Sequence, residues 1–316
     1  MFIEQAFLKD NNFGKYLLGS LVVIVASFVG QIPFTIAVLL KVFSEGKSLS
    51  AINSMDIYKI LELNWMLFLM LLSFAVALPV LFFVIKKMHN QTVLSVTTTR
   101  KSIDWNRVFF TFGLWSIVTI VSVYVDYQMS PLDYVWNFKP VPFAILFVIA
   151  TLLIPIQTSV EEYLFRGYLM QGFGLLAKNR LFPLLMTSVI FGAMHLANPE
   201  VEKLGYVMLV YYIGTGLLLG IMTLMDEGME LALGFHAANN LIGCLLVTTD
   251  WSALQTHSIL KDVSEPTAGF DVILPVIVIY PIILVILSKK YGWSNWQEKL
   301  TGNIANKPKS DFYDSI

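Results

Sequence analysis

Eight stretches of this chain are almost continuously apolar, and the polar residues gather between them. The stretches run over about 16–40, 64–85, 108–125, 141–176, 181–197, 204–225, 229–248 and 272–287. A helix of about 20 residues crosses the roughly 30 Å hydrocarbon layer of a bilayer. Inside lipid a lone segment can satisfy every backbone N–H and C=O only as a helix. The pattern therefore predicts eight membrane-spanning helices. The first stretch is longer than the roughly 7–15-residue core of a secretory signal and lacks a convincing small-residue cleavage site, so it is expected to be a retained helix.

Composition agrees. Of 316 residues, 56% are apolar and 14% charged, and mean hydropathy is +0.69, whereas a soluble domain carries about 25% charged residues. The expected fold class is all-α, a polytopic transmembrane helical bundle of about eight spans, with residues 1–316 forming a single integral membrane domain. No loop is long enough for a separate soluble domain, and there is no repeat of fixed period. The 21 Lys plus Arg are scattered among 22 Asp plus Glu for a net charge of −1, which excludes nucleic acid as a partner, because phosphate recognition needs a clustered basic surface. The partners expected on physical grounds are membrane lipids. A single cysteine, Cys244, rules out an internal disulfide and reads as a small buried thiol.

Loop charges set the orientation, since Lys and Arg favour the cytoplasmic side. Lys86, Lys87, Arg100, Lys101 and Arg107 lie between the second and third stretches, and Lys178 and Arg180 in the turn after the fourth. Lys289, Lys290, Lys299, Lys307 and Lys309 follow the last. Loops holding Asp126 and Asp133, Glu200 and Glu202, and Asp262 and Glu265 are acid-rich. Both termini are accordingly expected in the cytoplasm, in a plasma membrane of bacterial type. The loop with Asp226, Glu227 and Glu230 falls inside without a Lys or Arg, a mild exception. Asn90-Gln91-Thr92 has the form of a glycosylation acceptor, but it also falls inside. Six of seven tryptophans (Trp65, Trp105, Trp136, Trp251, Trp293 and Trp296) lie near predicted span ends as interfacial anchors; Trp115 alone lies mid-span.

Candidate chemistry stands where ionisable residues interrupt apolar runs, because a charge at a helix centre costs about 2.5–3.5 kcal/mol on insertion scales. Glu162 and Arg166 are four apart with the acid first, the favourable order for an ion pair on a helix. Glu161 points about 100° away and is left without a local partner, a candidate proton acceptor able to activate water. Phe191 precedes His195 by four residues, so its ring can pack on the imidazole. His236 and Asn240 share a face at the same spacing. The other two of the four histidines, His89 and His257, fall in loops and read as structural.

Helix geometry tests whether these groups can meet. Glu161 and His195 are each some 15 residues, about 22 Å, from the turn at Lys178, so an antiparallel hairpin brings them level. His236 is about 12 Å from the turn at Gly228. The three meet only if the hairpin projects beyond the membrane, or if the helices tilt or break. Pro155 can break the run 141–176, and Gly172 with Gly174 can loosen its end. The expected site is recessed about 12 Å below the cytoplasmic face, with the carboxylate and both imidazoles within about 10 Å of one another. Gly214, Gly216 and Gly220 are small-residue spacings suited to close helix packing.

Taken in order, two Glu with an Arg five after the first, then Phe and His four apart, then His and Asn four apart, this chain resembles the CPBP intramembrane proteases. That family includes the CAAX prenyl endopeptidases and the bacteriocin-processing and immunity-linked enzymes, also called the Abi family. The resemblance covers about 141–250, the expected catalytic core. It implies an endopeptidase acting near the membrane surface on a peptide or protein substrate, which is prenylated in one class of the family. It further implies Glu161 as the water-activating base, His195 and His236 holding the water or a metal, and Asn240 orienting the water or the oxyanion. Glu162 with Arg166 and Phe191 support the site. Glu161, His195 and His236 could also be the three ligands of a Zn²⁺ with an open position. Metal-bound and Glu-activated water both stay open, with the balance slightly toward a metal-free site that requires no cofactor. Motifs of three rival membrane protease types, His-Glu-x-x-His, Gly-x-Ser-x-Gly and Gly-x-Gly-Asp, do not occur. Two other readings use the same residues: a proton-coupled transporter with a buried Glu and His relay, and a non-catalytic immunity or scaffold protein keeping the fold.

Overall fold

A computed structural model describes residues 1–9, 11–46, 60–267 and 269–304. Lys307 and Lys309, counted above in the basic tail, lie outside the described residues. The long helices are α1 (Phe13–Ser44), α2 (Leu63–Met88) and α4 (Trp105–Met129), then α5 (Pro140–Glu162), continued by a π-helical segment Tyr163–Leu169 and α6 (Met170–Ala177). After these come α7 (Leu181–Met194), α9 (Met208–Asp226) and α10 (Glu230–Leu246), and last α11 (Phe270–Leu274), which a second π segment joins to α12 (Tyr280–Tyr291). Short helices α3 (Val93–Thr97), α8 (Pro199–Leu204) and α13 (Trp296–Thr301) lie between or after them, and a 3-10 helix Ile3–Leu8 precedes them.

The helices fall on the eight apolar stretches. Among the described residues, six are long and apolar enough to cross a membrane; α7 is a shorter apolar helix, and α10 has 17 residues. The chain is thus an integral, multi-pass membrane protein with an all-α bundle. Side-chain caps mark where several helices begin: Asn12 accepts from the Lys15 N–H, Glu62 from Asn64 and Trp65, and Asp104 from Asn106, satisfying donors that the first turn leaves open.

One end of the bundle collects the basic loops. Arg100 reaches Asp226 at 2.9 Å and Glu230 at 3.1 Å, Arg107 reaches Asp226 at 2.5 Å, and Lys299 lies 3.7 Å from Glu227. The Phe2 N–H donates to Glu227 at 2.6 Å. The acidic loop at 226–230 that looked exceptional is therefore neutralised by cations of the neighbouring loops. Residues near both ends of the described chain meet here, as an even number of spans requires. Trp293 also belongs to this network. It is buried and its indole N–H donates to Asp226 at 3.1 Å, so it is a packing residue and not the interfacial anchor expected from its position.

At the opposite end the sequence reading missed a small sheet. Tyr134–Trp136 (β1) pairs antiparallel with Leu260–Asp262 (β3), which pairs parallel with Val247–Thr248 (β2), tying two loops to the end of α10. His257, read as structural, lies at this end with Nε2 2.7 Å from Glu62 Oε1.

The glycines of α9 pack as expected. A Cβ at Gly216 would stand 2.9 Å from Ser188 Cα on α7, and Gly214 and Gly220 abut Val276 and Leu184. Two expectations for 141–176 are corrected. The helix runs through Pro155 without a break, and the departure from α geometry is the π segment directly after the two glutamates. Gly172 and Gly174 do not loosen α6; they admit the ring of Tyr16 and the side chain of Ile3 against its backbone.

Candidate active site

The last two turns of α5 carry Gln157, Glu161 and Glu162, and the π segment carries Arg166. A π turn closes i to i+5 hydrogen bonds, adding a residue to the turn and re-aiming side chains, and such turns recur at functional sites. Here it leaves Arg166 Nη1 3.0 Å from Glu162 Oε1 and Nη2 3.3 Å from the Gly216 carbonyl oxygen. Glu162 and Arg166 are both 0% exposed, whereas Glu161 keeps 17% of its side chain exposed. Burial is tolerable for the first two because they neutralise each other, and the guanidinium also lies 4.4 Å over the Phe191 ring.

His236, on the face of α10 that meets α5, joins the two acids. Its Nδ1 is 2.7 Å from Glu162 Oε1, and its Nε2 is 3.6 Å from Glu161 Oε2. A carboxylate only accepts, so Nδ1 carries the proton, and in the neutral ring Nε2 is an acceptor. His195 caps the C-terminus of α7. Its Nδ1 donates to the Phe191 carbonyl at 2.7 Å, which again leaves Nε2 as the free ring nitrogen. The ring lies between Phe191, at 4.8 Å between centroids, and Tyr212, stacked at 4.2 Å. Phe191 also touches His236, 5.9 Å away between centroids, so one phenyl ring spaces the two imidazoles and carries the arginine.

Glu161 is asymmetric. Its Oε1 accepts from Gln157 Nε2 at 2.5 Å, while Oε2 is buried with no hydrogen-bond partner among the described residues. Asn240 does not reach the carboxylate directly: its Nδ2 donates to Gln157 Oε1 at 3.0 Å, and its Oδ1 accepts from Asn239 at 3.0 Å. The motifs therefore converge as expected, but Gln157, Asn239 and Tyr212, unmarked in the sequence reading, belong to the same cluster. The metal reading fits less well. Among the described residues no group of three or more His, Cys, Asp or Glu side chains stands close enough together to hold a metal ion.

Comparison with known proteins agrees with the motifs. Residues 140–242 match the family model described as type II CAAX prenyl endopeptidase Rce1-like, a segment holding every site residue named above. The match bears out the resemblance to the CPBP family and supports a CAAX-type intramembrane endopeptidase fold for this segment. The chain is also 29% identical over 247 residues to the uncharacterized protein YyaK of Bacillus subtilis (strain 168), covering 76% of this chain and 79% of that one. No solved structure matches.

Proposed function

We propose that this chain, similar over 140–242 to Rce1-like type II CAAX prenyl endopeptidases, is an intramembrane endopeptidase in which Glu161 activates water against a peptide bond close to the cytoplasmic membrane face. The observation that carries the reading is the unpaired Glu161 Oε2, which lies 3.6 Å from His236 Nε2 on the more exposed of the two glutamates, 17% against 0% for Glu162. An unpaired carboxylate oxygen next to a ring acceptor is a seat for a water molecule, which has two hydrogens to give.

In the reaction, Glu161 takes one proton as the water oxygen attacks the carbonyl carbon, and passes it to the amine nitrogen as the C–N bond breaks. His236 holds the water through Nε2 and is itself held by Glu162, whose charge Arg166 balances. His195, whose ring lies against the same Phe191 that touches His236, is by resemblance the second holder of the water or the substrate. Donors must meet the charge that develops on the carbonyl oxygen, and by resemblance Asn240 supplies one. The substrate is a peptide or protein that enters from the membrane, and a prenylated CAAX peptide is the class named by the family.

The test is to incubate the protein, reconstituted in lipid vesicles, with a farnesylated CAAX peptide and its unprenylated counterpart, and to read the products by mass. Wild type should produce fragments that Glu161→Ala does not. Equal product from the two proteins refutes the assignment of Glu161, and cleavage of the unprenylated peptide alone refutes the substrate class.

A further inference from the structure

A chain of side-chain hydrogen bonds runs from the middle of α4 to the candidate base. The Trp115 indole N–H donates to Asn239 Oδ1 at 3.0 Å, Asn239 Nδ2 to Asn240 Oδ1 at 3.0 Å, Asn240 Nδ2 to Gln157 Oε1 at 3.0 Å, and Gln157 Nε2 to Glu161 Oε1 at 2.5 Å. Three helices contribute, and Trp115 and Gln157 are 6% and 9% exposed.

The direction of this chain follows from its first member. An amide can present either its oxygen or its NH₂ to a neighbour, but an indole can only donate. Trp115 therefore requires an oxygen from Asn239, which turns the Asn239 NH₂ toward Asn240, the Asn240 NH₂ toward Gln157, and the Gln157 NH₂ toward Glu161. The hydroxyl of Tyr211 also reaches Asn239 Oδ1, at 3.5 Å, but a hydroxyl can accept as well as donate and sets no direction. Bonds aligned head to tail polarise one another. The chain ends on a carboxylate oxygen, which accepts, so it occupies Oε1 of Glu161.

We propose that Trp115, Asn239 and Gln157 are positioning residues that orient Glu161, leaving Oε2 as the one oxygen free to take a proton from water. The proposal rests on Glu161 being the base. It also explains the lone mid-span tryptophan: its ring packs tilted against Phe235 at 4.2 Å between centroids, and its N–H sets the register of an amide relay.

The experiment compares wild type with Trp115→Phe, which keeps an aromatic ring against Phe235, with Gln157→Met, which keeps the length, and with the double variant. Kinetics use the farnesylated peptide, and infrared difference spectra of each protein against its own Glu161→Gln counterpart isolate the Glu161 carboxylate band. Gln157→Met should lower kcat about 10- to 100-fold, the usual cost of removing a group that orients a site residue, with KM nearly unchanged. Trp115→Phe should lower kcat less, and the double variant should be no worse than Gln157→Met alone, because both act through one chain. The carboxylate band should move in both single variants. An unmoved band, losses that multiply, or a loss confined to KM overturns the relay. The band requires no turnover: if it moves in a protein that cleaves nothing, the relay stands and the peptidase assignment falls.

Discussion

His236 meets two adjacent glutamates with its two ring nitrogens, Nδ1 at 2.7 Å from Glu162 and Nε2 at 3.6 Å from Glu161. That one contact divides the pair. Glu162 is wholly buried and its Oε1 is held by both Arg166 and the ring, whereas Glu161 has no Lys or Arg in ion-pair contact among the described residues and keeps 17% of its side chain exposed.

Arg166→Met should destabilise the protein severely, because it leaves Glu162 charged and buried with only His236 beside it. Breaking one side of a buried pair costs about 3–5 kcal/mol, whereas replacing both members is often neutral. The apparent melting temperature in detergent should fall for Arg166→Met and recover substantially in Glu162→Gln/Arg166→Met.

Gly234→Ala should be costly and Gly113→Ala nearly silent. A Cβ at Gly234 on α10 would stand 2.0 Å from the Val108 carbonyl oxygen of α4, while nothing lies within 4 Å of one at Gly113. Overpacking of this kind costs about 1–3 kcal/mol, and the two melting curves make the comparison within one variant pair.

Acid should weaken the junction between the end of α2, the turn before α1 and the π segment after α5. His89, just past the end of α2, is buried with Nδ1 2.9 Å from Asn11 Oδ1 and Nε2 2.7 Å from the Tyr168 hydroxyl. Burial, with a smaller contribution from Lys15, lowers its pKa from 6.5 to about 4. The unfolded chain then binds the proton more readily, so this contribution is full above pH 6.5 and is lost as pH falls toward 4. The loss is on the order of 2 kcal/mol at pH 5. Wild type should lose more stability between pH 7 and pH 5 than His89→Gln does; an equal loss in the two proteins contradicts the assignment.

The orientation is open to cysteine mapping. With Cys244→Ser as background, a cysteine placed at Lys87 should react with a membrane-impermeant maleimide only after the membrane is opened. Labelling from outside on intact cells would reverse the sidedness.

The legible parts of this protein are those whose signal is local. Apolar run length located the helices, and fixed four- and five-residue spacings located Glu161, Glu162, Arg166, Phe191, His195, His236 and Asn240. Pro155 misled because the expectation of a break ignored how a long helix packed on neighbours absorbs a proline, as lipid-embedded helices commonly do. Gln157 and Asn239 were passed over because a neutral amide in an apolar run carries no periodic or charge signal. Only the packing of α4, α5 and α10 shows that the two amides join Asn240 in one line. The mid-span position of Trp115 was visible, yet its meaning depends on a partner 124 residues away. Trp293 shows the same limit, since proximity to a span end does not distinguish lipid interface from a buried loop network.

The most direct measurement is the rate of peptide cleavage by the reconstituted wild type and by Glu161→Ala, His195→Ala and His236→Ala, each first shown to be folded by its melting curve. The account predicts cleavage by wild type and a fall in kcat of at least about 100-fold in Glu161→Ala, as loss of a general base entails, with clear losses in both histidine variants. Equal cleavage by all four folded proteins would contradict it.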